Sequence, residues 1–278
     1  MAKIDAHQHF WNLSEVEYQW LTPEYGPIYR NFEPNDLAPQ LQAAGIDKTV
    51  LVQAVNSYEE TASMLRLADH YDWIGAVVGW VDLMIPEETE ARIKMYSKHP
   101  KFRGVRHLLN LETNTDWMVQ PVVLESLKVL EKYNMAFDIP GVFPDHLKHV
   151  PAVAQAVPDL RIVIDHLSKP PIKLHSMSPW VEQLQAAASF PNVYAKISGL
   201  NTAADWETWS ATDIKPYIDA AIDTLGAKRV IYGSDWPVCN LAGGFQAVWE
   251  QTQRALDGRS KAEIEAVLGK TAEDVYRI

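Results

Sequence analysis

Short apolar runs alternate along the chain with longer stretches that have a helical period. Runs such as TVLVQAV and RIVIDHL are apolar almost throughout, which is typical of strands in a parallel sheet that is covered on both faces. Eight runs rich in β-branched and aromatic residues predict strands at 3–9, 48–54, 74–81, 102–109, 136–140, 161–167, 193–200 and 229–236. Their starts lie about 25 to 45 residues apart, as a strand, a crossover helix and two loops require.

The stretches between these runs predict amphipathic helices. Clear examples begin at Tyr58 (YEETASMLRLADHY), Pro86 (PEETEARIKMYSKH) and Pro121 (PVVLESLKVLEKY). Proline followed by two glutamates, as at Pro86, is favoured in the first turn of a helix. Eight strand and helix units predict an α/β fold, a (β/α)8 TIM barrel that forms a single domain over residues 1–278.

One connection is long and unusually aromatic, and we call residues 10–34 the aromatic segment. It precedes a short helix predicted near residues 36–44, and its rings include Trp11, Tyr18, Trp20, Tyr25, Tyr29 and Phe32. Long connections inside compact domains are usually functional or disordered, and this one is too aromatic for disorder. We interpret it as a lid over the barrel mouth, and the alternative is that its rings pack the barrel rim.

Composition excludes several classes of partner. The formal net charge of −11 repels phosphate backbones and anionic membrane surfaces, so we expect no nucleic acid and no membrane partner. The single cysteine, Cys239, cannot form an internal disulfide, and MAKIDAHQHF does not resemble a secretory leader. We therefore expect a soluble, cytoplasmic protein, and a homo-oligomer stays open because hydrophobic outer helices of barrels often associate.

Polar residues at the carboxyl ends of the predicted strands are the candidates for chemistry, because barrels of this kind build their sites there. The first strand ends in Asp5, His7 and His9, which strand alternation places on one face. The last strand ends in GSDWP, so Asp235 enters the barrel mouth unless it caps the next helix.

The sixth strand runs into the motif IDHLSKPP, which carries an acid and an imidazole next to each other. Adjacent strand residues face opposite ways, so Asp165 and His166 are not both expected to point inward. We assign the inward position to His166, and the alternative is a core histidine that is satisfied structurally.

Five motifs now make the chain similar to a known family. They are DAHQHFW at 5–11, GVRHLL at 104–109, IDHLSKPP at 164–171, KISGL at 196–200 and GSDWPV at 233–238. Together they resemble the amidohydrolase-2 group of the amidohydrolase superfamily, above all its sugar-lactonase branch of L-fuconolactonase and L-rhamnono-lactonase-like proteins. The resemblance implies a barrel hydrolase of carbohydrate metabolism that opens a small lactone such as an aldonolactone. Relatives in the family include pyrone-dicarboxylate lactonases and metal-dependent decarboxylases.

The resemblance leaves the metal open. Members with two metals carry a bridging Lys or Glu on the fourth strand and a histidine on the fifth, whereas Arg106-His107 and Asp138 stand here. One divalent ion, most simply zinc, fits His7, His9, His166 and Asp235 as N and O ligands. In the alternative, these histidines bind the substrate carbonyl directly and metal is dispensable.

Lactone hydrolysis needs a base for water, an electrophile for the carbonyl oxygen and an acid for the departing ring oxygen. We predict Asp235 as the base, and His7, His9 and His166 as groups that stabilise the oxyanion directly or through zinc. The predicted substrate-binding residues are Arg106, His107, Lys196, Gln53, Asp138, Trp80, Trp11 and Trp236.

These binding assignments have structural alternatives. Arg106 and His107 face opposite ways, so only one of them enters the pocket. Ion pairs between strand and helix, or buried hydrogen bonds, would explain the other charged and polar candidates equally well. For the whole chain, the alternatives to a lactonase are a metal-dependent decarboxylase of an aromatic or muconate-type carboxylic acid, and a silent barrel that only binds ligands. A silent barrel would be expected to have lost part of the histidine and aspartate cluster, which is complete.

Overall fold

All eight predicted strands form in the computed structural model, which describes residues 2–278. They are β1 (Ile4–Gln8), β2 (Lys48–Val52), β3 (Ile74–Gly79), β4 (Phe102–Arg106), β5 (Ala136–Ile139), β6 (Arg161–Ile164), β7 (Val193–Ile197) and β8 (Val230–Tyr232). Each strand pairs in parallel with the next, and a bridge between Gln8 and Trp236 brings the last strand beside the first. The predicted (β/α)8 TIM barrel is confirmed.

Helices surround the barrel, and local sequence signals set where they begin. They are α1 (Pro34–Ala44), α2 (Tyr58–His70), α3 (Pro86–Tyr96), α4 (Pro121–Lys132), α5 (Val150–Ala156), α6 (Trp180–Ala188), α7 (Leu200–Ala203), α8 (Ala211–Leu225), α9 (Gly244–Ala255), α10 (Lys261–Glu265) and α11 (Thr271–Tyr276). The predicted starts at Tyr58, Pro86 and Pro121 are confirmed, and the Ser57 side chain caps α2 by accepting from the Glu60 N–H. Within residues 2–278, no helix has the length and apolar character that crossing a membrane requires.

The C-terminal helix α11 and Ile278 close the barrel interior at the amino ends of the strands. Small and β-branched strand residues form an interior cluster, to which α11 contributes Ala272, Val275 and Tyr276. Ile278 packs so tightly against the start of β3 that a Cβ on Gly75 would lie 2.6 Å from it. Because the amino ends of the strands are closed in this way, the site has to be built at their carboxyl ends.

The aromatic segment lies against the carboxyl end of the barrel. Trp11 and Phe32 exchange two backbone hydrogen bonds of 3.2 and 3.0 Å, which hold the two ends of the segment together. The rings of Trp11, Phe32 and Tyr18 are buried. The Trp20 indole donates to the carbonyl of Ala54 at 2.7 Å. Some of its rings therefore pack the rim, and Trp20 reaches the next strand end.

Candidate active site

Backbone hydrogen bonds tie the carboxyl ends of β1 and β8 together. The Asp235 N–H donates to the His7 carbonyl at 2.8 Å, and the His9 N–H donates to the Trp236 carbonyl at 2.7 Å. These bonds place the Asp235 carboxylate against two imidazoles, with Oδ1 3.4 Å from His9 Nε2 and 3.7 Å from His7 Nε2. All three side chains are buried.

Asp5 does not join this cluster, although strand alternation predicts it on the same face. Its carboxylate accepts hydrogen bonds from the N–H and the hydroxyl of Ser234, at 2.7 and 2.6 Å. The register of β1 against β2 shifts between Asp5 and Gln8, and such an irregularity breaks the alternation of side chains. Asp5 instead holds the turn after β8, and burial raises its pKa to about 6.

The turn after β6 is left-handed, and it carries the third imidazole. Residues 166–169 all have positive φ, between 49° and 60°. Each non-glycine residue in this conformation costs about 1–2 kcal/mol, and such strain is concentrated at functional sites. Surrounding groups hold the turn: the Phe143 N–H donates to the Ser168 carbonyl, and the Trp180 indole donates to the Leu167 carbonyl, both at 2.8 Å.

Asp165 and His166 both enter the site, so the prediction that only one of them points inward is wrong. The His166 Nδ1 atom lies 2.9 Å from the Ser198 hydroxyl and 4.0 Å from Asp235 Oδ2. Asp165 Oδ1 lies 3.3 Å from Nδ1 of His7. Alternation holds only for extended backbone, and β6 ends before Asp165. No sequence signal marks that early end.

Arg106 and His107 are adjacent at the end of β4, and Arg106 is the one that faces the barrel mouth. Its Nη1 lies 3.2 Å from His7 Nε2 and 3.3 Å from Asp165 Oδ2. Gln53 orients the guanidinium, because its side-chain oxygen accepts from Nε at 3.3 Å and its backbone carbonyl accepts from Nη2. The fixed positive charge beside His7 disfavours more than one metal ion in this space.

His107 is directed away from the barrel mouth. Its ring stacks on Trp117 with centroids 3.9 Å apart, and Nε2 lies 2.8 Å from a carboxylate oxygen of Glu112. The Trp80 indole donates to Nδ1 at 3.1 Å. His107 and Trp80, both predicted to bind substrate, thus use their polar atoms on each other and on the β4 loop.

A buried charged network lies behind His7. The Lys196 ammonium is 3.2 Å from His7 Nδ1, 3.1 Å from Asp165 Oδ1 and 2.5 Å from Asp138 Oδ2. The Tyr276 hydroxyl donates to the Asp138 carboxyl group at 2.9 Å. All five groups are buried, so Lys196 and Asp138 lie beneath the imidazole and are already paired. Sequence analysis missed Tyr276, because nothing in a C-terminal helix signals that it closes the barrel floor.

A cavity of about 280 Å³ opens at the carboxyl end of the barrel, beside His9, His166 and Asp235. Its polar lining comes from His9, Arg106, Asn110, His166, Lys169, Thr202 and Asp235, its apolar lining includes Leu108, Pro140, Val142, Val238 and Leu241, and its aromatic lining is Trp20, Tyr25 and Trp206. The predicted rings Trp11 and Trp236 are buried and do not line it. The aromatic segment therefore does contribute rings to the cavity, but not the ring that the sequence suggested.

Comparison with known proteins identifies the family. The amidohydrolase family profile Amidohydro_2 matches residues 4–278. The chain belongs to the amidohydrolase family. It is 40% identical to an L-fucono-1,5-lactonase of Burkholderia ambifaria over 243 aligned residues, and the alignment covers 87% of this chain and 83% of the relative. An L-fucono-1,5-lactonase of Burkholderia multivorans is 34% identical over 287 residues, with 99% and 96% covered. A crystal structure of a Burkholderia multivorans amidohydrolase with bound zinc superposes with a TM-score of 0.93, at 32% identity and 100% coverage of both chains.

Burial sets the protonation states in this amidohydrolase. Loss of solvent lowers the pKa of His7, His9 and His166, so the three imidazoles are neutral at pH 7. Burial by itself would raise the pKa of Asp235, but the His166 ring and the other two imidazoles around the carboxylate outweigh it and lower the pKa below its usual range. Neutral imidazoles and an ionised carboxylate are the forms that bind a metal ion.

The donor set of this amidohydrolase fits a divalent metal ion. One ligand atom from each of His7, His166 and Asp235 lies within 4.8 Å of the others. The His9 Nδ1–H donates to the Val52 carbonyl at 2.7 Å, which leaves the lone pair of Nε2 directed toward Asp235. Hydrogen bonds of this kind from the second ring nitrogen are usual for histidines that ligate a metal.

Proposed function

We propose that this amidohydrolase opens the ring of a sugar lactone, an aldonolactone such as L-fuconolactone or L-rhamnonolactone, with water activated by Asp235. That it is a hydrolase of lactone ester bonds is indicated by its family and by its two lactonase relatives. The observation that carries the proposal is the convergence of His7, His9 and His166 on the Asp235 carboxylate under a small cavity. A cavity of about 280 Å³ suits a single sugar ring better than a larger ligand.

The residues divide the reaction between them. Asp235 is ionised and accepts a proton from the attacking water, whose oxygen bonds to the carbonyl carbon. The guanidinium of Arg106, held in place by Gln53 and Asp165, donates toward the carbonyl oxygen as negative charge develops there. The acyl C–O bond then breaks, and the ring oxygen takes up the proton as a hydroxyl group. The immediate product is an aldonic acid, which releases the second proton of the water to solvent and becomes an aldonate anion.

We propose zinc as the ion of this site, with His7, His9, His166 and Asp235 as the residues that hold it. When bound, it supplies Lewis acid polarisation of the carbonyl oxygen. The alternative reaction, decarboxylation, is disfavoured because related decarboxylases use a further histidine on the fifth strand. Asp138 stands there, and it is already paired with Lys196 and Tyr276.

A panel of 1,5- and 1,4-aldonolactones, pyrone dicarboxylates and aromatic carboxylates tests this proposal, with metal content measured before and after chelation. Asp235→Asn should lower kcat by about a hundredfold or more, because it removes both the base and a ligand charge, while the fold persists. Asp159→Asn, an exposed aspartate after α5, is the matched control. The proposal fails if no aldonolactone is opened, or if Asp235→Asn keeps most of the rate.

A further inference from the structure

Lys169 is an exposed cationic side chain at the cavity mouth. It lines the cavity together with Thr202 and Trp206. The nearby Lys173 pairs with Asp205 at 3.3 Å, whereas the Lys169 ammonium has no ion-pair or hydrogen-bond partner anywhere in residues 2–278. The Lys169 side chain is exposed at the edge of the cavity, so its ammonium is free to bind a ligand that enters there.

The left-handed turn after β6 places Lys169 on the same face as His166. The Lys169 N–H donates to the His166 carbonyl at 2.8 Å, which closes one tight turn between them. In a turn with three residues per repeat, side chains three positions apart lie one above the other. The same turn therefore places both side chains along the cavity, with His166 buried and Lys169 exposed at the rim.

The left-handed conformation of this turn continues beyond His166. Leu167, Ser168 and Lys169 also have positive φ, and none of them is glycine. An unfavourable backbone of this length persists only where the surrounding structure enforces it, and such places are usually functional. The run ends at Lys169, so the strained segment carries one cavity residue at each end.

Resting on the proposed lactonase function, we propose that Lys169 is a specificity-determining residue that binds the polar edge of the sugar lactone. Its ammonium donates to the ring hydroxyls of the substrate and then pairs with the carboxylate that ring opening creates. The other fixed cation that lines the cavity, Arg106, is paired with Asp165 and already serves the carbonyl oxygen, so Lys169 is the second cation that the new carboxylate can contact. An ammonium with three donors suits a polyol that becomes an anion.

The test compares Lys169→Met and Lys169→Arg with the intact enzyme on an aldonolactone and on δ-valerolactone, which lacks hydroxyl groups. Lys169→Met should raise KM for the aldonolactone by about tenfold or more, the effect of losing one charged hydrogen bond, with a much smaller change in kcat. The loss on δ-valerolactone should be several-fold smaller. Lys169→Arg should recover part of the difference. Lys128→Met, an exposed lysine on α4 paired with Glu125, is the control.

Calorimetric binding of the aldonate product to the same variants gives a readout that does not depend on turnover. The aldonate should bind at least tenfold more weakly to Lys169→Met than to the intact enzyme and to Lys128→Met. Equal losses on both lactones, or unchanged aldonate binding, would overturn the role of Lys169. If the intact enzyme opens no aldonolactone, the proposed function fails by itself, and the binding comparison still decides whether Lys169 recognises a sugar acid.

Discussion

Gly199, in the turn after β7, approaches the site so closely that a single methyl group there should disable it. A Cβ at this position would lie 2.7 Å from His166 Nδ1 and 2.9 Å from Asp235 Oδ2. Ordinary contacts begin near 3.4 Å, so the two groups would have to retreat by about 0.5 to 0.7 Å. Neither can do so freely, because the Ser198 hydroxyl holds His166 and the Asp235 N–H is bonded to the His7 carbonyl.

The expected magnitudes separate stability from activity. An alanine at the left-handed φ of +60° costs about 1–2 kcal/mol of folding free energy. A misplacement of about 1 Å among catalytic groups costs about a hundredfold in rate, so a shift of half to two thirds of that should lower kcat/KM between about tenfold and a hundredfold. Gly199→Ala should therefore be a folded protein with a damaged site.

The matched control is Gly45→Ala, at the end of α1. Gly45 has a φ of +64°, but the nearest atom to a Cβ there is the Lys3 Nζ at 3.8 Å. Urea unfolding should show the shared backbone cost in both variants and a further loss in Gly199→Ala from its close contacts, while lactone turnover falls only for Gly199→Ala. The reasoning is refuted if Gly199→Ala keeps most of its kcat/KM, or if Gly45→Ala loses as much activity.

Three further predictions concern buried titratable groups. First, kcat/KM should stay level as pH falls from neutral and decline only below 6.5, the usual pKa of histidine, because burial lowers the pKa of His9 and the neighbouring imidazoles. A pH profile whose acid limb is centred above 7 would contradict this. Second, burial raises the pKa of Glu60 from 4.5 to about 8, so the folded chain binds more protons than the unfolded chain between these values. Stability should then fall as pH rises through that window, by up to about 1.4 kcal/mol per pH unit, and Glu60→Gln should remove this slope in urea unfolding at several pH values; equal slopes would count against it. Third, Tyr276→Phe should cost about 1–3 kcal/mol in the same assay, because it removes a hydroxyl donor from the buried Asp138; an unchanged midpoint would exclude that role.

The sequence by itself determined the architecture and the rim on which the site lies. Hydrophobic period and helix start signals act over a few residues, so the eight strands and the helices beginning at Tyr58, Pro86 and Pro121 could be placed without a structure. All parallel strands of a barrel end on one rim, so polar residues at several strand ends are expected to be neighbours even when they are distant in sequence. This reasoning predicts that His7, His9, His166 and Asp235 are neighbours.

Only the tertiary structure decided which way individual side chains point at those strand ends. A strand ends where its backbone loses a partner in the neighbouring strand, and this depends on contacts distant in sequence. The early end of β6 turned Asp165 inward, and the register shift in β1 separated Asp5 from His7. Tyr276 reaches Asp138 only because the C-terminal helix closes the barrel floor. Alternation along one strand cannot predict such features, because they follow from packing between elements.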